Sequence, residues 1–105
     1  MDGFALTVRF TIKPGHEDDF DRLTTETLSA IRTREPETLV YVSHRVVDSP
    51  RERIFYELYR DHAAFDAHEQ QPHVKRFLDD REQHLDSFTV DQMTPVAGKT
   101  GDGGQ

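Results

Sequence analysis

The sequence predicts an α+β domain whose elements follow the order β-α-β-β-α-β. Near the N-terminus, apolar and polar side chains alternate with the period of a strand, and the next segment spaces its apolar residues as a helix does. Farther along, two runs rich in β-branched and aromatic residues flank a turn, as in a hairpin. A chain of 105 residues has the size of one domain.

The first strand is predicted from Phe4 to Ile12, where every second residue is apolar. Residues 13–15, Lys-Pro-Gly, end this strand. The acidic residues 17–19 then suit the positive N-terminal end of a helix. This helix is expected to stop near Arg34, because the residue before Pro36 is sterically pushed out of the α conformation.

The second strand is predicted over residues 38–47, which are rich in β-branched and aromatic side chains. Residues 48–52 are predicted to form a turn, and residues 53–59 a third strand that completes a hairpin. Asp61 is a suitable N-cap for a helix that continues to about Glu69.

Pro72 interrupts this helix. A second helical piece is predicted to follow, and the residues on the apolar side of this piece continue as far as Leu85. Residues 88–93 alternate weakly and predict the fourth strand. The Gly-rich sequence that follows is expected to be a disordered tail. The expected organisation is therefore one domain over residues 1–94 and a tail over residues 95–105.

This order is the ferredoxin-like arrangement, in which one antiparallel sheet carries its helices on one face. In the second strand, however, both alternating sets of residues are apolar, with Tyr41 in one set and Val40 and Val42 in the other. An antiparallel sheet with one wet face alternates cleanly between apolar and polar residues. The pattern therefore predicts that a partner covers the second face, and another copy of the same sheet is the simplest such partner.

Composition and charge exclude several classes of partner. The net charge of −7 argues against nucleic acid, which requires clustered Lys and Arg, and against an anionic membrane surface. The sequence contains no cysteine, which excludes disulfides, thiolate nucleophiles and Cys-ligated metals. It also lacks a signal-peptide pattern and any apolar stretch near the roughly 20 residues of a membrane span, so a cytoplasmic location is expected.

The third strand carries a carboxylate that needs a partner. Glu57 and Tyr59 share one face of this strand, because alternate residues do. A carboxylate on an apolar face is costly unless it is paired, and Arg9 and Arg45 are the expected partners. Glu57 could serve in a structural ion pair, or it could orient a catalytic group.

Two histidines follow in the helical region. His68 lies one turn after Ala64, so it is expected to face the sheet, where an imidazole could take a proton from a phenol. The structural alternative is a core histidine with one hydrogen bond to a strand. His73 follows Pro72 at a helix start, and a capping or solvent-exposed position is favoured there over a role in gating or lining a pocket.

Other reaction classes lack their motifs. Residues 68–73, HEQQPH, resemble HExxH, but their histidines are five apart with a proline between them, whereas a zincin requires positions i and i+4 on an unbroken helix. Neither G-x-S-x-G nor G-x-G-x-x-G occurs in the sequence. We therefore expect no metal and no nucleotide or flavin cofactor.

A series of residues spread over the chain follows the order of a known family. The series is Glu35-Pro36, Tyr41, Asp48-Ser49-Pro50, Glu57-Leu58-Tyr59, His68 and His73. It resembles the antibiotic biosynthesis monooxygenase (ABM) superfamily, which includes small quinol monooxygenases, over about residues 4–93. The sequence departs from the family pattern at Glu37, where glycine is usual, and at Tyr59, where tryptophan is most frequent.

The resemblance implies a homodimer that forms a dimeric α+β barrel. It also implies an enzyme that oxidises a quinol or a phenolic polyketide with O2 and without a cofactor, since the deprotonated substrate supplies the electrons. His68 would be the base or hydrogen-bond partner, and Glu57 would tune it. The substrate site would be lined by Tyr41, Tyr59, Phe65 and His73.

Two other functions stay open at this stage. The first is a non-catalytic dimer that binds a small aromatic ligand, an alternative that the missing tryptophan at Tyr59 keeps in view. The second is haem binding or degradation, which related barrels perform, with His68 or His73 as an axial ligand.

Overall fold

The computed structural model describes residues 2–99. Its elements are β1 (Phe4–Ile12), α1 (Glu17–Arg34), β2 (Thr38–Val46), β3 (Ser49–Tyr59), α2 (His62–Glu69), α3 (Pro72–Asp80), a 3-10 turn (Arg81–His84) and β4 (Leu85–Met93). The four strands form one antiparallel sheet in the spatial order β2-β3-β1-β4. The predicted ferredoxin-like α+β fold is confirmed, with α2 and α3 together in the place of the second helix.

The hairpin between β2 and β3 is tighter than the sequence predicts. Val46 pairs with Ser49, so the turn holds only two residues and β3 starts four residues earlier than expected. Asp48 has a φ of 64°, in the left-handed region that Asp tolerates better than most residues. Pro50 fits inside β3 because β1 pairs only from Glu52 onward, so the missing N–H of the proline costs no ladder hydrogen bond on that side.

The end of the last helix also differs from the prediction. α3 ends at Asp80, and Leu85 is the first residue of β4 rather than part of the apolar side of the helix. The backbone N–H of Lys13 donates to the carbonyl of His84 at 2.8 Å, and Leu85 pairs with Ile12. These contacts attach the chain to the end of β1 and start the strand three residues earlier than the sequence indicates.

The core lies between the sheet and the helices. β1 and β3 direct alternate residues to this face, as the period of two predicts. Phe10 and Phe55 are fully buried and meet edge to face, with ring centroids 4.7 Å apart. Phe20 of α1, Phe65 of α2 and Phe77 of α3 belong to the same cluster. Each helix is therefore attached to the sheet by a phenylalanine.

The face of the sheet opposite the helices, which we call the outer face, is apolar along β2 and β3. The register pairs Val42 with Tyr56 and Val40 with Leu58 on this face, and Ile54 follows on the same side of β3. These residues are half-buried or exposed, and Val42 is 42% exposed. Within residues 2–99, no helix packs against them. The sheet therefore carries apolar side chains on both faces, as predicted. Within residues 2–99, those on the outer face are left uncovered.

The chain after β4 contributes little to the fold. Residues 94–99 contain no helix or strand, and the rest of the predicted tail, residues 100–105, lies outside the described residues. No helix within residues 2–99 combines the length and the apolar composition that crossing a bilayer requires.

Replacing a central core ring should be strongly destabilising. Phe55→Ala is expected to lower the free energy of unfolding by about 3–5 kcal/mol, because the buried ring is lost and a cavity remains. Urea denaturation followed by circular dichroism measures this change. Val47→Ala is the control, since Val47 is 84% exposed in the hairpin turn and should change stability by less than about 0.5 kcal/mol. Equal losses in the two variants would contradict this description of the core.

Candidate active site

A cavity of about 320 Å³ lies between the sheet and the two short helices. Its walls are largely apolar, and its polar lining includes Tyr41, Glu57, His68 and Arg81. A volume of this size is near the lower end of the range for small-molecule sites. A second, more open groove of about 380 Å³ runs between α1 and β2 and shares Tyr41, but no histidine lines it. The first cavity is therefore the candidate active site.

α2 places His68 against the sheet. The start of this helix is fixed because the Asp61 side chain accepts a hydrogen bond from the backbone N–H of Ala64 at 2.8 Å. The centroid of the His68 ring lies 5.0 Å from that of Tyr59 and 5.6 Å from that of Tyr41. With only 4% of its surface exposed, His68 faces the sheet as its helical spacing predicts.

Glu35 is the centre of the hydrogen bonds in the site. Its carboxylate accepts hydrogen bonds from His68 Nδ1 at 2.6 Å, from Thr38 Oγ1 at 2.8 Å and from His73 Nε2. Burial acts to raise the pKa of Glu35, but these hydrogen bonds outweigh it, so the pKa lies below its ordinary value. Glu35 is therefore a buried carboxylate that stays ionised.

The Glu35 carboxylate determines which nitrogens of the two histidines carry protons. An ionised carboxylate only accepts hydrogen bonds, so the nitrogens that face it are assigned as N–H donors. In neutral His68, Nδ1 is then the donor and Nε2 keeps a lone pair. No side chain within residues 2–99 is hydrogen-bonded to Nε2, and His68 lines the cavity. The arrangement supplies a base of defined tautomer whose second nitrogen is available to a ligand.

His73 is buried, so the prediction of a capping or solvent-exposed residue is wrong. It is 7% exposed, and its Nε2 donates a hydrogen bond to the second carboxylate oxygen of Glu35. The break before Pro72, which starts α3, reorients the chain so that histidines five apart in sequence reach one carboxylate. His73 does not line the candidate active site but a separate cavity of about 90 Å³ between α1 and α3. Its Nδ1 is buried without a hydrogen-bond partner in the described part of the chain.

Glu57 and Tyr59 share one face of β3 as predicted, but the expected arginine partner of Glu57 is wrong. The Tyr59 hydroxyl donates to Glu57 Oε1 at 2.5 Å. Arg9 cannot reach Glu57 because strand alternation places it on the outer face. Arg45 stands opposite Arg53, four residues along β3 from Glu57. A phenol, rather than a cation, therefore satisfies this carboxyl group.

The two buried carboxyl groups differ in their preferred charge. Burial raises the pKa of Glu57, and the hydrogen bond from Tyr59 and the charge of His68 oppose this only in part. Burial is the main cause that also raises the pKa values of Tyr41 and Tyr59. The site thus combines a carboxyl group with a lowered pKa, Glu35 behind His68, with groups inside the cavity whose pKa values are raised.

Two residues of the site, Glu35 and Arg81, were not among the site residues predicted from the sequence, although Glu35 belongs to the series that carries the family resemblance. Glu35 lies next to a proline at a helix end, and its spacing gives no sign that it faces either histidine. Arg81 lines the cavity with its guanidinium over the ring of Phe88, at 4.5 Å from the centroid. Burial lowers the pKa of Arg81. Arg81 lies on the apolar side of the predicted second helical piece, and this position could have identified it as a residue that faces the sheet.

The residues present give little support for a metal centre. Within residues 2–99, no group of three or more His, Asp or Glu side chains has the arrangement of a metal site. The histidine nitrogens beside Glu35 face its oxygens rather than a shared point. For haem, the available ligand atom is His68 Nε2, because His73 lies on the separate small cavity.

Comparison with known proteins identifies the family. The family model described as antibiotic biosynthesis monooxygenase matches residues 3–80, and the chain belongs to this family. No curated protein sequence matches the chain.

Solved structures share the fold. PA3566 from Pseudomonas aeruginosa is similar with a TM-score of 0.82 and 26% identity, covering 92% of this chain and 97% of that one. A structure named antibiotic biosynthesis monooxygenase has a TM-score of 0.81 and 27% identity, with 90% and 99% covered. Rv0793 from Mycobacterium tuberculosis has a TM-score of 0.85 at 21% identity, with 93% and 99% covered, and shows the shared fold alone.

The free energy of unfolding should depend on pH, and the contributions of Glu35 and Glu57 should change with pH in opposite directions. The lowered pKa of Glu35 means that its stabilising effect is present above the ordinary value of 4.5 and is lost as the pH falls through the folded-state pKa. The raised pKa of Glu57 means that its contribution is present below 4.5 and is lost as the pH rises through the folded-state pKa.

Glu35→Gln should therefore lower the free energy of unfolding at neutral pH by about 1.5–3 kcal/mol, because hydrogen bonds to a buried charge are lost. Glu57→Gln is the matched comparison and should lower it less, because the raised pKa of Glu57 means that its surroundings do not stabilise the charge that the amide removes. Urea denaturation between about pH 3 and pH 8 measures both effects across the relevant titrations. Equal destabilisation by the two variants at neutral pH would show that the assigned charges are incorrect.

Proposed function

We propose that this protein is a cofactor-independent monooxygenase that oxidises a quinol or a phenolic, polyketide-type aromatic with O2. The observation that carries the proposal is the state of His68. Its Nδ1 is fixed by buried Glu35, while its Nε2 is left for a ligand in a largely apolar cavity of about 320 Å³. Membership of the ABM family supports the same reaction class.

The first step is transfer of a phenolic proton from the substrate to His68 Nε2. Nδ1 of the imidazolium that forms lies 2.6 Å from the ionised Glu35 carboxylate. The carboxylate therefore stabilises the positive charge that the reaction creates on His68. The apolar walls exclude water and strengthen this pair. His73 acts as a positioning residue, because it holds the second oxygen of Glu35.

The substrate anion then supplies the electrons. It gives one electron to O2, and the resulting superoxide and substrate radical combine at a ring carbon to form a peroxide. His68 returns the proton to the peroxide, and loss of water leaves a quinone-type product that contains one oxygen atom from O2. The electrons that reduce the other oxygen to water come from the quinol and from the C–H bond that becomes C–O.

The remaining residues shape the pocket and orient the ring of the substrate. Tyr41 and Phe65 line the cavity as walls. Glu57 lines the cavity, and Tyr59, behind it, donates a hydrogen bond that holds the carboxyl group in place. Burial raises the pKa of this carboxyl group, which reduces its tendency to carry a negative charge beside the substrate anion.

Oxygen uptake by the metal-free protein tests the proposal. With a panel of hydroquinones and anthrone-type phenols, the wild type should consume O2 above the autoxidation background and incorporate one atom of ¹⁸O2 into the product. His68→Ala should lower kcat by about 10²- to 10⁴-fold, because the general base is lost. His62→Ala is the control on the same helix, since its side chain is 63% exposed, and it should retain wild-type uptake.

Undiminished uptake in His68→Ala would show that His68 is not the base. If no compound is turned over but aromatic compounds bind tightly, the protein is a ligand-binding module instead. A Soret band that appears on haem titration and is lost in the His68 variant would favour a haem protein.

We further propose that the protein is a homodimer in which two outer faces meet. The apolar side chains of β2 and β3 on this face have no cover within residues 2–99. Burying such a face against its own copy removes apolar surface from water without any new partner.

Val42→Asp should convert the dimer to a monomer, because it places a charge in the middle of the apolar patch, opposite Tyr56. Sedimentation equilibrium measures the molecular mass. Val47→Asp introduces the same charge in the exposed hairpin turn and should leave the dimer intact. A monomeric wild type, or a dimer that survives in Val42→Asp, would exclude this interface.

A further inference from the structure

We propose that the substrate of the cavity is an aromatic acid whose carboxylate is bound by the guanidinium of Arg81. The ring chemistry of this substrate rests on the proposed function. The anion site does not, because it follows from the contacts of Arg81 itself.

The guanidinium of Arg81 lies among three aromatic rings and donates no side-chain hydrogen bond within residues 2–99. The guanidinium carbon lies 4.5 Å from the centroid of the Phe88 ring, 5.3 Å from that of Phe10 and 5.8 Å from that of Phe77. Contacts of this kind use the faces of the planar group, so its N–H donors remain at the edges. Arg81 also lines the cavity that contains His68. A ligand in this cavity can therefore reach both groups.

Arg81 has no carboxylate partner within residues 2–99. None of the ion pairs in this part of the chain includes it. Glu57 and Glu69 line the same cavity without forming an ion pair with it. The neighbouring Glu82 likewise makes no ion pair with it. The cation is half-buried, and the carboxyl groups of Glu57, Glu69 and Glu82 lie near it without forming an ion pair with it.

A carboxylate matches the guanidinium of Arg81 in charge and in shape. Two parallel N–H donors of a guanidinium match the two oxygens of a carboxylate. Partial burial strengthens the attraction relative to an arginine at the surface, and lowers its sensitivity to salt. The volume of about 320 Å³ restricts the ligand to a compact ring system, with the acid group at Arg81 and a phenolic hydroxyl at His68.

Binding of a matched pair of ligands tests the inference without turnover. We would titrate the protein anaerobically with 2,5-dihydroxybenzoate and with its uncharged amide, using calorimetry. The wild type should bind the acid at least about tenfold more tightly than the amide, because only the acid forms a charge-assisted hydrogen-bond pair. Arg81→Met should abolish this preference while it keeps the affinity for the amide.

The control is Arg76→Met, which removes the same charge from an exposed position on α3 outside the cavity and should retain the preference. Circular dichroism confirms that each variant is folded. If Arg81→Met does not fold, Arg81→Lys replaces it, and a reduced preference is expected because an ammonium lacks the planar fork. Equal affinities for acid and amide, no binding of either, or a preference that survives loss of Arg81 would overturn the inference.

This measurement is separable from the test of the monooxygenase reaction. An acid preference that depends on Arg81, without oxygen uptake by any compound, would support the anion site and refute the proposed chemistry. Oxygen uptake that is equally fast with acids and amides, together with equal affinities, would support the chemistry and refute the anion site.

Discussion

The buried charge of Glu35 is the interaction on which the rest of the site depends. A carboxylate with 4% side-chain exposure would be strongly destabilising if it were alone. It is tolerated because His68 and His73 occupy its two oxygens and Thr38 adds a third donor. These donors come from α2, α3 and the start of β2, so displacement of any one element would leave a buried charge short of a partner. The positions of α2 and α3 are thus fixed in part by their hydrogen bonds to the Glu35 side chain.

The same arrangement separates charge across the site. The anion lies behind His68, whereas Glu57 inside the cavity favours its neutral form because burial raises its pKa. The cavity contains the cation of Arg81 beside the carboxyl groups of Glu57 and Glu69, whereas the protein carries a net charge of −7 overall. In the proposed reaction, the proton that a phenol loses is received by His68 beside Glu35.

Local rules were sufficient for much of the fold but not for the site. β1 and the end of α1 follow from period-two alternation and from the steric effect of Pro36, which act within a few residues. The hairpin turn does not, because the pairing of Val46 with Ser49 depends on the register that two strands adopt across space. The burial of His73 depends on Glu35, 38 residues away, and on the reorientation of α3. Neither could be obtained from spacing along the sequence.

The contacts of Glu35 also have a kinetic consequence for folding. They join residues 33 and 38 positions apart, whereas the β2–β3 hairpin, which lies within that span, pairs residues that are near neighbours in sequence. Closing the longer loops costs more chain entropy, so the hairpin and α1 can form before α2 and α3 dock. A chain halted at that stage would have strands but no histidine of defined tautomer. During refolding, burial of the His68 and His73 rings would therefore report the docking of the two short helices rather than the formation of the sheet.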